Sequence, residues 1–296
     1  MYQHLISAIL KLTKITMRKS FLTFMAIAGS IILLQAQKSC CIKPTDIQFA
    51  MLTARQDFRD AHLVPEPFHY VAESGKSITF PTPDGKTGNA FAVKSEKKTK
   101  NVLIVVHEWW GVNDYIKREA ESLQKELGDV DVYAVDLYDG QVASDPQTAG
   151  KLMGGLNPER AANIIKGLIK SFGPDVRVET IGWCMGGAWS FQSALLAGPL
   201  TKGCVMYYGF PEKDAEKMRS LASDVLFIQA TKDGFIKNED VENFAKNLQS
   251  VGKKITIKQY EADHAFANPS NPKYSKTFAD EAHQIAVAYL KKGFGL

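Results

Sequence analysis

The stretch Thr180-Ile181-Gly182-Trp183-Cys184-Met185-Gly186-Gly187 constrains the fold of this chain more than any other. Residues of strand character (Val176, Val178, Thr180, Ile181) run into a glycine, a cysteine and two further glycines. Helix-compatible sequence follows from Ala188 to Leu196. A strand that enters a helix through Gly-x-Cys-x-Gly must turn sharply, because a β-carbon at position 182 or 186 would crowd the bend. Such a turn lifts the side chain of Cys184 clear of the backbone, and the helix N-terminus behind it lowers the cost of forming a thiolate. Taken alone, the pattern also describes a buried cysteine in a glycine-containing βα turn.

Residues downstream give the turn its meaning. Asp233 sits in Thr231-Lys232-Asp233-Gly234, just after the apolar run Val225 to Ala230, and His264 follows the strand-like run Ile255 to Tyr260. Both lie past the C-terminal end of a predicted strand, where open α/β sheets build their sites. Singly, Asp233 is an ordinary turn residue and His264 an ordinary loop histidine. Nucleophile, acid and histidine in this chain order are the arrangement of α/β-hydrolases, so the three form a candidate Cys184–His264–Asp233 triad.

Upstream, the buried-type run Val102 to Val106 ends in His107-Glu108-Trp109-Trp110-Gly111. In that fold the loop after this strand supplies one oxyanion-hole N–H and the residue after the nucleophile the other, which makes Trp109 and Met185 the candidate donors. Glu108 would direct its carboxylate into the same cleft; its bland alternative is to cap the helix that begins near Asp114. Glycine at position 111 breaks the H-E-x-x-H spacing, so no metal site is expected, and no phosphate-binding glycine loop follows a strand, so no cofactor is expected.

From about Ser77 onward the chain resembles the dienelactone hydrolase family. The resemblance is carried by His107-Glu108-Trp109-Trp110-Gly111, Asp136-Leu137-Tyr138, Gly182-Trp183-Cys184-Met185-Gly186-Gly187, Tyr207-Tyr208-Gly209, Asp233 and His264-Ala265-Phe266. It implies a monomeric α/β-hydrolase that opens an unsaturated lactone through a cysteine acyl-enzyme. It also implies that Glu108 meets the nucleophile in the resting site and helps control its ionisation. Trp110, Tyr138, Tyr208 and Phe266 are the expected lining of the substrate pocket. The best-known members carry a serine and an arginine just after the histidine, where this chain has Ala265 and Asn268. They also carry an arginine after Asp-Leu-Tyr, where Asp139-Gly140-Gln141 stands here. Neutral esters or lactones are therefore expected to serve at least as well as carboxylated ones, with Lys151 or Lys232 as the substitute cation if they do not. The alternatives are an esterase or thioesterase acting on an unrelated acyl group, and a non-catalytic relative that binds a ligand; an intact triad argues against the latter.

Composition is that of an enzyme-sized globular domain: 45% hydrophobic and 23% charged over 296 residues. The formal net charge is a mild +4, and the lysines are scattered rather than striped between aromatics, which argues against nucleic-acid binding. The N-terminus reads as a targeting segment. Met17-Arg18-Lys19-Ser20 is a basic start, and the apolar run Phe21 to Leu34 is shorter than the roughly 20 residues of a spanning helix. Leu34-Gln35-Ala36 suits signal peptidase. The expected organisation is a signal peptide over 1–36, a polar, irregular extension over 37–76 and the hydrolase domain over 77–296. Export to the periplasm or medium follows, without stable membrane insertion after cleavage. A lipoprotein anchored at Cys40 is the second reading, since Gln37-Lys38-Ser39 makes a poor lipobox. Cys204, within an apolar strand, reads as a small buried hydrophobe.

From the hairpin about Pro83-Asp84-Gly85-Lys86 onward, strands and helices alternate. Strands are expected at 102–107, 130–136, 178–183, 203–208, 225–230 and 255–260. Helices are expected at 114–127, 144–153, 157–172, 186–197, 212–222, 237–251 and 274–292. Such alternation dictates a mostly parallel sheet covered on both faces.

Overall fold

Runs too apolar to face water on either side form the middle of an eight-stranded sheet. They are β3 (Asn101–Val106), β5 (Arg177–Trp183), β6 (Thr201–Tyr207) and β7 (Val225–Ala230), each almost wholly buried, as strands covered on both faces must be. The computed structural model describes residue 48 and residues 51–296; the expected signal segment, its cleavage site and the Cys40-Cys41 pair lie outside the described residues. Strand order is β1-β2-β4-β3-β5-β6-β7-β8. β1 (Lys76–Pro81) and β2 (Thr87–Val93) form the expected antiparallel hairpin, and β2 also runs antiparallel to β4 (Asp131–Asp136). Every other neighbouring pair, out to β8 (Ile255–Tyr260), is parallel. This is the α/β-hydrolase architecture.

Four of the helices begin where a polar side chain satisfies orphan N–H groups of the first turn. Asn113 caps α2 (Asp114–Leu127) by accepting from Ile116 N, Asp145 caps α3 (Pro146–Gly154), and Asn157 caps α4 (Pro158–Phe172). Asn113 thus performs the capping that Glu108 would otherwise have done. α5 (Met185–Ala197) starts at Cys184 with no side-chain cap. α7 (Asn238–Ser250) and α8 (Lys276–Phe294) complete the set, within two residues of expectation. The helix expected over 212–222 is only α6 (Ala215–Arg219). Glu212 accepts from the N–H groups of Lys213 and Asp214, and Asp214 accepts from Glu216 N, so the first residues are spent on a turn.

Glu179 on β5 is fully buried, and neither of its carboxylate oxygens has a hydrogen-bond partner among the described residues. It occupies space that glycines leave open: a β-carbon on Gly293 would stand 1.7 Å from its Oε1. Burial, only partly offset by the charge of Arg177, pushes the Glu179 carboxyl up to about 9.

The region ahead of β1 is more ordered than its polar composition implied. It contains α1 (Gln56–Asp60) and buries Leu52, Phe58 and His62. Glu121 of α2 ties its end to the domain by accepting from Tyr70 Oη and from the N–H groups of Glu73, Ser74 and Gly75. Among the described residues no helix is long and apolar enough to cross a membrane.

Candidate active site

The turn after β5 is as tight as its glycines require. A β-carbon on Gly182 would stand 2.1 Å from Gly186 O, and one on Gly186 would stand 2.3 Å from Val106 O. Cys184 itself takes φ +54°, ψ −119°, a region costly for a residue with a side chain. Its N–H donates to Tyr207 O at 3.0 Å, and its carbonyl accepts from Gly187 N at 3.0 Å. The thiol is thereby held at the head of α5.

The loops after β7 and β8 bring the other two members to it. Cys184 Sγ lies 3.2 Å from His264 Nε2, and His264 Nδ1 lies 2.6 Å from Asp233 Oδ2. Asp233 Oδ1 accepts from Phe235 N and Ile236 N, which fixes the carboxylate. All three side chains are buried. Ala265, at φ +61°, lets the chain bend immediately after the histidine. Burial pulls His264 down, but the charges and hydrogen bonds of Asp233 and the Cys184 thiolate outweigh it, and His264 ends well above its ordinary value. Burial pushes the Cys184 thiol up; His264 opposes this, while Glu108 adds to it.

The loop after β3 forms the facing wall. His107 holds it in place, with Nε2 accepting from Leu137 N and Nδ1 donating to Glu108 O. Glu108 is buried, and its Oε2 accepts from Asn268 Nδ2 at 2.5 Å. Its influence on Cys184 is through charge, since the thiol's own hydrogen-bond partner is His264. Burial drives the Glu108 carboxyl up to about 7, against the pull of His264, Asn268 and Tyr208. Met185 N–H is directed at Cys184 Sγ.

The four aromatic residues expected to line a pocket divide. A cavity of about 220 Å3 opens beside Glu108 and is lined by Trp110, Trp183, Tyr207, Asn268 and Arg118, among others. Tyr208 stands over the triad, its ring centroid 5.2 Å from that of His264 and its hydroxyl directed toward Glu108. Tyr138 and Phe266 do not line this cavity. Tyr138 Oη donates to Met185 Sδ at 3.3 Å, beside the nucleophile, and Phe266 packs among Tyr208, Tyr260 and Phe278 in the core. Position after a strand end was legible in the sequence; the side each ring would face was not.

The cations expected near the substrate also change. Lys151 and Lys232 are exposed, and Lys232 pairs with Glu261. The cavity's arginine is Arg118 on α2, stacked 4.6 Å over the ring of Phe68 and 5.5 Å from that of Tyr115. Cys204 is buried beside Ser190, as its strand setting implied.

His62 is a site residue the sequence did not reveal. One of its ring nitrogens, Cys184 Sγ and a ring nitrogen of His264 all lie within 4.8 Å of one another. Among the described residues this trio is the one group whose donors are near enough to share a metal ion. The only hint in the sequence is Phe58 and His62 at i, i+4 spacing in an otherwise polar stretch.

A cysteine, a histidine and an aspartate in hydrogen-bonded series at three strand ends of this sheet leave the family to be decided by comparison. Residues 89–294 match the dienelactone hydrolase family. The chain belongs to that family. Its fold and membership make it a carboxylic ester hydrolase of dienelactone hydrolase type. Among curated relatives, the chain is 28% identical over 202 residues to Protein usf of Aquifex pyrophilus, covering 64% of this chain and 87% of that one. It is 27% identical over 230 residues to a carboxymethylenebutenolidase of Pseudomonas putida, covering 73% and 95%. A solved structure of a dienelactone hydrolase-like promiscuous phosphotriesterase from metagenomic libraries shares the fold, with a TM-score of 0.64 at 17% identity, over 74% of this chain and 98% of that one.

Proposed function

We propose that this dienelactone hydrolase relative is exported and cleaves a small ester or lactone through a cysteine acyl-enzyme. One observation carries the mechanism: Cys184 Sγ at 3.2 Å from His264 Nε2, with His264 Nδ1 held 2.6 Å from Asp233. The Cys184 thiolate attacks the substrate carbonyl carbon. The oxyanion that develops is held by the N–H groups of Met185 and Trp109, each such donor contributing about 3 kcal/mol in comparable sites. His264 protonates the departing alkoxide, and Asp233 fixes the tautomer and orientation of its ring. Water then cleaves the thioester and restores the thiolate–imidazolium pair. Glu108 tunes the step before: a charged Glu108 opposes ionisation of Cys184, and a protonated one permits it. Trp110 and Tyr208 face the acyl group. Export rests on the basic and apolar segments that precede Gln37.

Incubating the protein with a slow p-nitrophenyl ester and weighing it tests the chemistry. A mass gain of one acyl group, absent from Cys184→Ala, is the expected result. Full hydrolysis by folded Cys184→Ala would overturn it. Export is tested by N-terminal sequencing of the native protein, where a start near Gln37 is expected and recovery of Met1 or Met17 would count against it.

A further inference from the structure

The segment ahead of β1 does more than cover the site. Phe58 is fully buried, with its ring 5.4 Å from that of Trp109 and 5.0 Å from that of Phe235. One helical turn on, His62 is 4% exposed, and its ring lies 4.6 Å from that of Trp109 and 5.5 Å from that of His264. His62 Nδ1 lies 2.7 Å from Phe58 O, a carbonyl that can only accept, so Nδ1 carries the hydrogen and Nε2 keeps its lone pair. Among the described residues Nε2 has no hydrogen-bond partner, although buried acceptors are normally satisfied. The trio of donor atoms on His62, Cys184 and His264 spans no more than 4.8 Å.

We propose that His62 is a positioning residue of this active site: it accepts a hydrogen bond from the water that cleaves the acyl-enzyme and holds that water in place. The spacing allows that role: two acceptors each about 2.8 Å from one water oxygen, at a near-tetrahedral angle, stand about 4.5 Å apart, within the 4.8 Å that bounds a ring nitrogen of each histidine. Once His264 has given its proton to the leaving alcohol, its Nε2 is again an acceptor. The water directs one hydrogen to His264 Nε2 and the other to His62 Nε2, which leaves an oxygen lone pair for the thioester carbon. As the C–O bond forms, the proton passes to His264. The tetrahedral intermediate then collapses, the C–S bond breaks, the carboxylic acid departs, and Cys184 is left as a thiolate beside protonated His264. His62 orients the water and takes no proton. Burial, with the charge of His264 adding to it, pushes His62 down to about 3, so it remains a neutral acceptor throughout.

The inference rests on the cysteine acyl-enzyme, and pre-steady-state kinetics of the full chain with p-nitrophenyl acetate separate the two. In His62→Phe, which keeps the ring packing but accepts no hydrogen bond, a burst of one p-nitrophenolate per site is expected at a rate within about twofold of wild type. Steady-state turnover is expected to fall about tenfold or more, with the acyl-enzyme accumulating by mass. Hydroxylamine, a nucleophile needing little help from a base, is expected to restore turnover in the variant more than in wild type. His62→Gln, whose amide oxygen accepts, is expected to lose less. Wild-type turnover in His62→Phe overturns the proposal, as does a parallel fall of burst and turnover with no acyl-enzyme gained. Should His62→Phe fail to melt cooperatively, His62→Leu is read by the same criteria. Absence of any acylated Cys184, in wild type as well, would instead overturn the acyl-enzyme.

Discussion

Asn268 donates to Glu108 across 2.5 Å, at a position where the sequence resemblance had placed a substrate-binding arginine. Its amide is no idle remnant of a lost carboxylate clamp; it is occupied in holding the glutamate beside the nucleophile.

That contact yields a pH prediction. The carboxyl of Glu108 lies at about 7 in the fold, above its ordinary 4.5. Its contribution to stability is fully present below about pH 4.5 and is lost as pH rises through 7. Glu108→Gln avoids the loss, so its advantage opens between those values to about 3 kcal/mol and then stays constant. Melting curves should coincide near pH 4.5 and separate by several degrees at pH 8. Alkylation of Cys184 by iodoacetamide should also titrate at lower pH in the variant. Equal melting differences at both pH values would refute the account.

Glu179 provides a contrast far from the chemistry. Its carboxyl stands at about 9, so the loss continues from 4.5 up to that pH. The advantage of Glu179→Gln should still widen between pH 7 and pH 9, where that of Glu108→Gln is flat. Hydrolysis at pH 7 should be unchanged. A plateau at pH 7 would mean that Glu179 finds a partner in solution.

Substrate charge follows from Ala265 and Asn268, neither of which offers a cation. A carboxylate without one forfeits a charge-assisted hydrogen bond, worth about 1.5–3 kcal/mol. The methyl ester of a lactone acid should therefore have a kcat/KM at least equal to that of the free acid. If the acid is preferred, loss of that preference in Arg118→Gln would identify the arginine that lines the cavity as the cation.

The elbow can be tested without touching chemistry. Gly186→Ala would set a β-carbon 2.3 Å from Val106 O and 2.5 Å from His107 O, both backbone atoms that cannot swing away. A loss of about 3 kcal/mol or more is expected, with activity falling alongside. Gly140→Ala meets nothing within 4 Å, and its φ of +91° alone should cost about 1–2 kcal/mol. Denaturant titration of the two variants compares them; similar midpoints would show that the bend has room to relax.

The sheet and triad were readable in the sequence because each depends on local pattern. Apolar runs mark the strands, and Cys184, Asp233 and His264 each follow a strand end, which the parallel sheet gathers at one edge. Glu108 was readable as a neighbour of the nucleophile for the same reason. What could not be read depends on packing between distant segments. Phe266 follows a strand end but turns into the core, and Tyr138 spends its hydroxyl on Met185 rather than on the cavity. Arg118 reaches the cavity from a helix surface. His62 belongs to a polar stretch whose place was set by Phe58 finding Trp109 and Phe235.

The dependence of the site on that stretch bears on how relatives are compared and trimmed. The family match begins at Asn89, within β2 and well after His62. A chain cut to those limits would keep all three triad residues, yet lose β1 and part of the strand it pairs with. It would also open the buried side of His264 to water. Preparations of such a fragment would carry the complete signature of the family and be expected to hydrolyse poorly. For this protein, the minimal catalytic unit is expected to extend on the N-terminal side of the residues that match the family.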